Sequence, residues 1–339
     1  MDQIINHSVL SLDFWQDTVT YEGSTMPTGT IGCEVLNIPD STIEKLDTPC
    51  NVLNQLLQGM NTGSLDMELL PQVQQATGEI ISFLQATPPF SRLNRSYFER
   101  KLAAIFSEEY MEDAKAYLQL TQQEQLICAL TGQHSKATML VRIAQVLGHL
   151  SYSLGQYKEA LTKFAERLNE PGYDRTSDGY AAMFGQFFKS EPTLSLDNPA
   201  WMTLTNASVQ YVAATRPGKT EPQLVKRMHY VSFVGMFRSD LFEGLCVGHA
   251  PKKCPICGRW FLTIDARHTK YCGGLAPGDQ RGRTCRQIGN LRGREQRELA
   301  GDHPIKAIYT RRMNTVLQST RRGNCLLYTS PSPRDPKTS

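Results

Sequence analysis

Four cysteines place the tightest constraint on this chain. Cys254, Cys257, Cys272 and Cys285 are spaced C-x2-C-x14-C-x12-C. Thiolates at such spacing suit a tetrahedral Zn2+ site, and a sequence-close pair lowers the entropy of assembling it. A C-x-x-C pair alone also suits thiol–disulfide chemistry, but that use needs a strand-to-helix context. Here "KKCPICGRWFL" runs on into a strand-like segment, and two further cysteines follow. Four protein ligands leave no open coordination position, so the expected site is structural and not catalytic. A module too small for much of a core gains folding free energy from its metal.

The local pattern around these cysteines carries further expectations. Gly258 suits the tight turn after the second ligand, leaving backbone N–H groups to bond the sulfurs. "RWFLT" reads as a strand, "HTKYC" as a returning strand that delivers Cys272, and "GGLAPGDQRGR" as a flexible loop. Cys285 then opens a helix. A standard ribbon places its fourth ligand about two residues after the third. Here twelve intervene, and His268 stands as a rival to Cys285 for the fourth position.

Charge separates the same region from the rest. The formal net charge of +3 divides into +11 over residues 251–324, −9 over residues 1–250 and +1 over the last fifteen residues. An acidic body with a basic C-terminal module suggests an anionic partner for the basic part. Its own acidic body is the alternative counter-charge.

The residues "CPICGRWFL", then "YC", then "TCRQIGN" with arginine-rich sequence after it resemble the CGNR-type zinc finger of bacterial regulators. "YCGGLAPGDQRGRTCRQIG" is similar to the C-terminal signature of a bacterial family of unknown function, YC…APG…TCRxIG. The resemblance covers roughly residues 251–292. It implies a four-cysteine zinc site and a nucleic-acid role. Two departures weigh on the second implication: the long insertion before Cys285, and "CRQIGN" in place of Cys-Gly-Asn-Arg.

If residues 285–299 are helical, Arg286, Asn290, Arg294 and Arg297 fall within about 80° of one another at 100° per residue. Ile288, Leu291 and Leu299 group on the opposite side, toward the zinc module. With Arg283 just before the helix, these residues form the candidate nucleic-acid contact, since a guanidinium fork matches phosphates and guanine edges. Gly289 and Gly293 each cost a helix about 1 kcal/mol relative to Ala, and mark either close packing or a break. A second helix is expected from Pro304, carrying Lys306, Arg311 and Arg312, with Ile305, Tyr309, Met313 and Val316 inward.

The remainder reads as mainly α (α+β). "SVLSLDFW", "DTVTYEG" and "TIGCEVLNI" suggest a small N-terminal sheet. Residues 50–170 keep apolar residues at helical spacing. Within them "SKATMLVRIAQVLGHLSYSLG" and "QYKEALTKFAERLNEPG" resemble one tetratricopeptide hairpin turning near Gly155, without the further copies an array needs. Residues 171–220 are loop-rich around a short helix, "GYAAMFGQFFK". "EPQLVKRMHYVSFVGMFRSDLFEG" reads as a helix with Leu224, Met228, Val231 and Phe237 inward. The expected organisation is an acidic body over 1–245, a basic zinc module over 246–324, and a separate tail over 325–339. That tail, "CLLYTSPSPRDPKTS", has no regular period and looks like the translation of a transposase adapter, so it is set aside from fold reasoning.

No P-loop, G-x-S-x-G, H-E-x-x-H or carboxylate pair points to an enzyme. No secretory leader and no membrane-length apolar run is present, so the expected location is cytoplasmic, where clustered cysteines serve metals before disulfides. The expectation is a zinc-binding regulator of transcription that contacts nucleic acid, DNA before RNA. A protein partner is expected through the helical body, and no membrane. A zinc-stapled protein-interaction module is the alternative.

Overall fold

A computed structural model describes residues 10–21, 23–63, 65–92, 95–170, 174–190, 207–264, 269–299 and 304–321. Two antiparallel sheets and twelve helices longer than one turn make up these residues, a mainly helical α+β protein. The chain divides into two compact units, Met1–Cys254 with Gly258–Thr269, and Pro255–Cys257 with Lys270–Ser339. The tail expected over 325–339 lies outside the described residues.

The first unit is built on strands from both ends of its sequence. β1 (Leu10–Trp15), β2 (Thr18–Tyr21) and β3 (Ser24–Pro27) form a meander. β4 (Ala207–Thr215) and β5 (Pro222–Tyr230) add to it in the order β3-β2-β1-β5-β4. β1 alternates burial, with Leu10, Leu12 and Phe14 inward, and Arg227 of β5 forks onto Asp13 at 2.7 and 2.8 Å. The third N-terminal strand is therefore "STMP". "TIGCEV" is instead helix α1 (Thr30–Val35), entered through Gly29 at φ +96°.

Helices α2 (Asp47–Asn61), α3 (Leu70–Ala86), α4 (Arg95–Ile105), α5 (Glu108–Leu118), α6 (Gln122–Thr131), α7 (Ser135–Gly148), α8 (Leu150–Arg167) and α9 (Ser177–Ser190) follow. The hairpin expected to turn near Gly155 breaks instead between Gly148 and Leu150, because α8 runs through Gly155. Gly148 packs where a β-carbon would lie 2.6 Å from the Asn54 Oδ1 on α2.

The run expected as one helix over 221–244 is two elements. Pro222–Tyr230 is a strand, and α10 (Phe233–Cys246) starts after Ser232, whose hydroxyl accepts from the Gly235 N–H at 3.1 Å. Leu224 is therefore 77% exposed on β5, not inward. α10 is the spine of this unit. Phe233 and Phe237 meet Phe90 edge-on at centroid distances of 5.0 and 5.3 Å. α10 crosses α1 closely enough that a β-carbon on Gly244 would fall 2.8 Å from the Thr28 carbonyl oxygen. At that crossing Asp240 is fully buried, and its carboxylate accepts the Gly29 and Gly32 N–H groups, both at 2.9 Å. Burial pushes its pKa up to about 7, against the backbone donors that pull it down.

The small second sheet pairs β6 (Ala250–Lys253) with β7 (Trp260–Thr263). The Asn37 side chain holds its edge, accepting the Trp260 N–H at 2.8 Å and donating to the Trp260 carbonyl at 2.9 Å. The expected division between residues 245 and 246 assigns this hairpin to the zinc module; by packing it sits with the first unit.

The second unit holds α11 (Cys285–Leu299) and α12 (Pro304–Arg321). Both helices start where the sequence places them. The expected inward face of α12 is turned to solvent: Ile305, Tyr309, Met313 and Val316 are 40–69% exposed. Among the described residues after Lys270, Ala276 and Cys285 are the buried apolar side chains, too few to form a core that could cover that face.

Candidate metal centre

The sulfurs of Cys254, Cys257, Cys272 and Cys285 all lie within 4.8 Å of one another. Each is delivered differently. Cys254 follows β6, donates its N–H to the Arg259 carbonyl at 2.9 Å, and accepts the Gly258 N–H at 2.8 Å. That bond closes a turn with Gly258 at φ +72°, a conformation glycine reaches without penalty. The glycine was expected for this turn. Its own N–H serves the Cys254 carbonyl.

Cys272 arrives on irregular chain, because Thr269–Cys272 is not a strand. β7 pairs with the preceding β6, and among the described residues no returning strand adds to that sheet. Cys285 is the first residue of α11, and its N–H donates to the Gly274 carbonyl at 2.9 Å. The cluster is asymmetric in exposure: Cys254 and Cys285 are fully buried, whereas Cys257 and Cys272 are half-buried. His268, the rival ligand, lies outside the described residues.

The segment expected as a flexible loop is braced. Leu275 bridges Thr284, and the Ala276 N–H reaches the Arg283 carbonyl at 3.0 Å. The Arg283 guanidinium grips Asp279 at 2.6 and 3.0 Å, and its backbone N–H donates to the same carboxylate at 2.7 Å. These bonds hold the Asp279 carboxyl below the usual range. Arg283, counted from sequence among the nucleic-acid contacts, thus spends its fork on the loop.

α11 is capped reciprocally: the Thr284 N–H donates to the Gln287 Oε1 at 2.8 Å, and the Gln287 N–H to the Thr284 Oγ1 at 3.3 Å. The T-x-x-Q signature of this capping box was readable and was missed. The helix is unbroken at both glycines. A β-carbon on Gly289 would sit 2.4 Å from the Tyr271 ring, whereas one on Gly293 would meet nothing within 4 Å. Tyr271 was not singled out from sequence, since nothing in the linear pattern pairs it with Gly289. Beyond this contact Arg286, Asn290 and Arg294 are exposed, and Arg297 falls within the helix. Ile288 is half-buried as expected, but Leu291 is 37% exposed.

The donor set is all sulfur, which favours a thiophilic ion. A zinc tetrahedron with bonds of about 2.3 Å has edges of about 3.8 Å. Cys257 Sγ and Cys272 Sγ are 3.6 Å apart, close to that edge. The residues therefore fit the ion.

The model of a family of unknown function (DUF6076) matches residues 202–326, from just before β4 to beyond α12. No curated protein and no solved structure matches the chain. No described helix is long and apolar enough to cross a membrane.

Proposed function

We propose that the protein binds nucleic acid through α11, with Zn2+ at the four cysteines holding the base of that helix. One observation carries this reading: Arg286, Asn290 and Arg294 are exposed together on a helix whose buried side is fixed by Cys285 and Gly289. The region 251–324 has a net charge of +11, the electrostatic footprint such a partner requires. DNA is favoured over RNA. A helix of 15 residues spans about 22 Å and fits the major groove of B-DNA, whereas the major groove of A-form RNA is too narrow to read. Nor does α11 carry an aromatic residue on which unpaired bases would stack. The acidic helical unit would then serve as the sensing or partner-binding part of a transcriptional regulator. No catalytic role is proposed. A cytoplasmic location goes with this reading, because a zinc–thiolate site needs reduced cysteines.

The test is a binding titration against DNA and RNA at several salt concentrations. Replacing Arg286, Arg294 and Arg297 together by Ala is expected to lower the log–log salt slope by roughly 2–3, at about 0.9 per lost phosphate contact. Zinc content is expected to stay unchanged. If the unaltered protein binds neither nucleic acid in a salt-sensitive way, this reading fails.

A second reading is a zinc-stapled protein-interaction module, and α12 favours it. Ile308, Tyr309, Met313 and Leu317 are 42–65% exposed on a helix without a single acid. An acidic protein partner would suit that surface.

A further inference from the structure

We infer that Cys257 and Cys272 form a peroxide-sensitive pair that closes into a disulfide and expels the metal. The inference rests on the zinc reading of the cluster and adds a modification site to it. Four thiolates around one zinc are chemically equivalent in number but not in access. Cys254 and Cys285 are fully buried, and peroxide does not reach them without local opening. Cys257 and Cys272 are half-buried and partly open to solvent, and their sulfurs already stand 3.6 Å apart. Susceptibility to oxidation follows thiolate character and exposure together, and a sensor cysteine needs a resolving cysteine beside it. This pair is the exposed one, and each sulfur has the other beside it.

Hydrogen peroxide is the oxidant. One exposed thiolate attacks it, the S–O bond forms as the O–O bond breaks, and hydroxide leaves. The product is a sulfenic acid. The second thiolate attacks that sulfur, the S–S bond forms as the S–O bond breaks, and a second hydroxide leaves. Two electrons pass from the two sulfurs to peroxide, and solvent protons convert both hydroxides to water. Such a disulfide would leave Cys254 and Cys285 as the two thiolates able to hold the ion, too few to retain it. Cys285, the first residue of α11, then loses the metal tie at the foot of the arginine face.

The zinc-loaded, reduced full-length protein is treated with graded hydrogen peroxide. Released metal is read with a chromophoric chelator, and disulfides are mapped in peptides under non-reducing conditions. Cys254 and Cys257 share one tryptic peptide, CPICGR, so fragmentation is required to tell them apart. The expected result is release of about one zinc per chain alongside a dominant Cys257–Cys272 link, with zinc regained after dithiothreitol. A dominant link that includes Cys254 or Cys285 overturns the inference, as does sulfinic acid formation without a disulfide or zinc retained at excess peroxide. A reduced protein that carries no zinc sinks the metal reading itself, and the disulfide map still judges the pair.

Discussion

The two units of this chain are held together by different physics. In the first, Leu12, Val19, Ile31, Leu53, Phe90 and Phe237 are each 0% exposed, and burial of such side chains provides about 1.5–3 kcal/mol apiece. In the second, the described buried apolar residues are Ala276 and Cys285, and α12 shows its apolar side chains to water. A unit with so little to bury has a fold only if something other than apolar area holds it. The clustered sulfurs of Cys257, Cys272 and Cys285, and a loop braced by Arg283 and Asp279, occupy the place a core would take in it.

The largest test of this contrast is metal removal. Chelation is expected to unfold the second unit, with loss of α11, because structural zinc contributes on the order of 10 kcal/mol to such modules. The first unit is expected to keep its own cooperative transition. Hydrogen exchange resolved by peptide reads both at once, and protection of residues 285–299 that survives chelation would break the comparison. Cys254→Ser and Cys285→Ser are expected to reproduce the loss.

Phe237→Ala works from the other side. Removing a ring that packs on Phe90 is expected to cost the first unit about 3–5 kcal/mol in denaturant unfolding. Zinc content is expected to stay at one per chain, and a parallel loss of zinc would mean that the two stabilities are not separate.

Gly289→Ala is expected to cost the second unit about 1–3 kcal/mol by forcing a methyl into the Tyr271 ring. Gly293→Ala is the control, expected to gain up to about 1 kcal/mol of helix propensity in open space. Equal effects at the two positions would show that propensity, not packing, governs both.

The shallowest effect, read per pH unit, concerns pH. Asp240 has its folded pKa pushed up to about 7, so the folded state holds this proton more tightly than the unfolded chain does. Its contribution is therefore complete below the ordinary carboxylate range and is lost as pH rises through about 7. The slope is at most about 1.4 kcal/mol per pH unit. Asp240→Asn is expected to abolish that slope between pH 4 and 7, while costing stability throughout, since an amide cannot accept from Gly29 and Gly32 with both its heavy atoms. An unaltered slope in the variant would locate the titration elsewhere.

The cysteine cluster and both basic helices were legible because the information is local: ligand spacing, a helix-opening Cys285, a Pro304 start. What escaped reading depends on partners distant in sequence. β5 carries Lys226, Arg227 and His229 among its apolar residues, and its exposed Leu224 mimicked a helical stripe. Pairing with β1, more than 200 residues away, on one edge and with β4 on the other makes it a strand. β4 hid in a loop-rich region because its partner is β5, the strand that itself reads as a helix. The apolar side of α12 has inward periodicity, but periodicity records a face and not whether anything exists to cover it. Arg283 looked like any other arginine until Asp279 was found to be folded back onto it.

Gly289 has a consequence for how this molecule changes over generations. The Tyr271 ring seats against Gly289, where α11 offers no side chain, so the rotation of the helix about its axis is set there. Arg286, Asn290 and Arg294 take no part in that seating. Mutation can rewrite what those three positions say to a partner while the helix goes on facing the same way. A Gly289 substitution would leave every word intact and turn the page away from its reader.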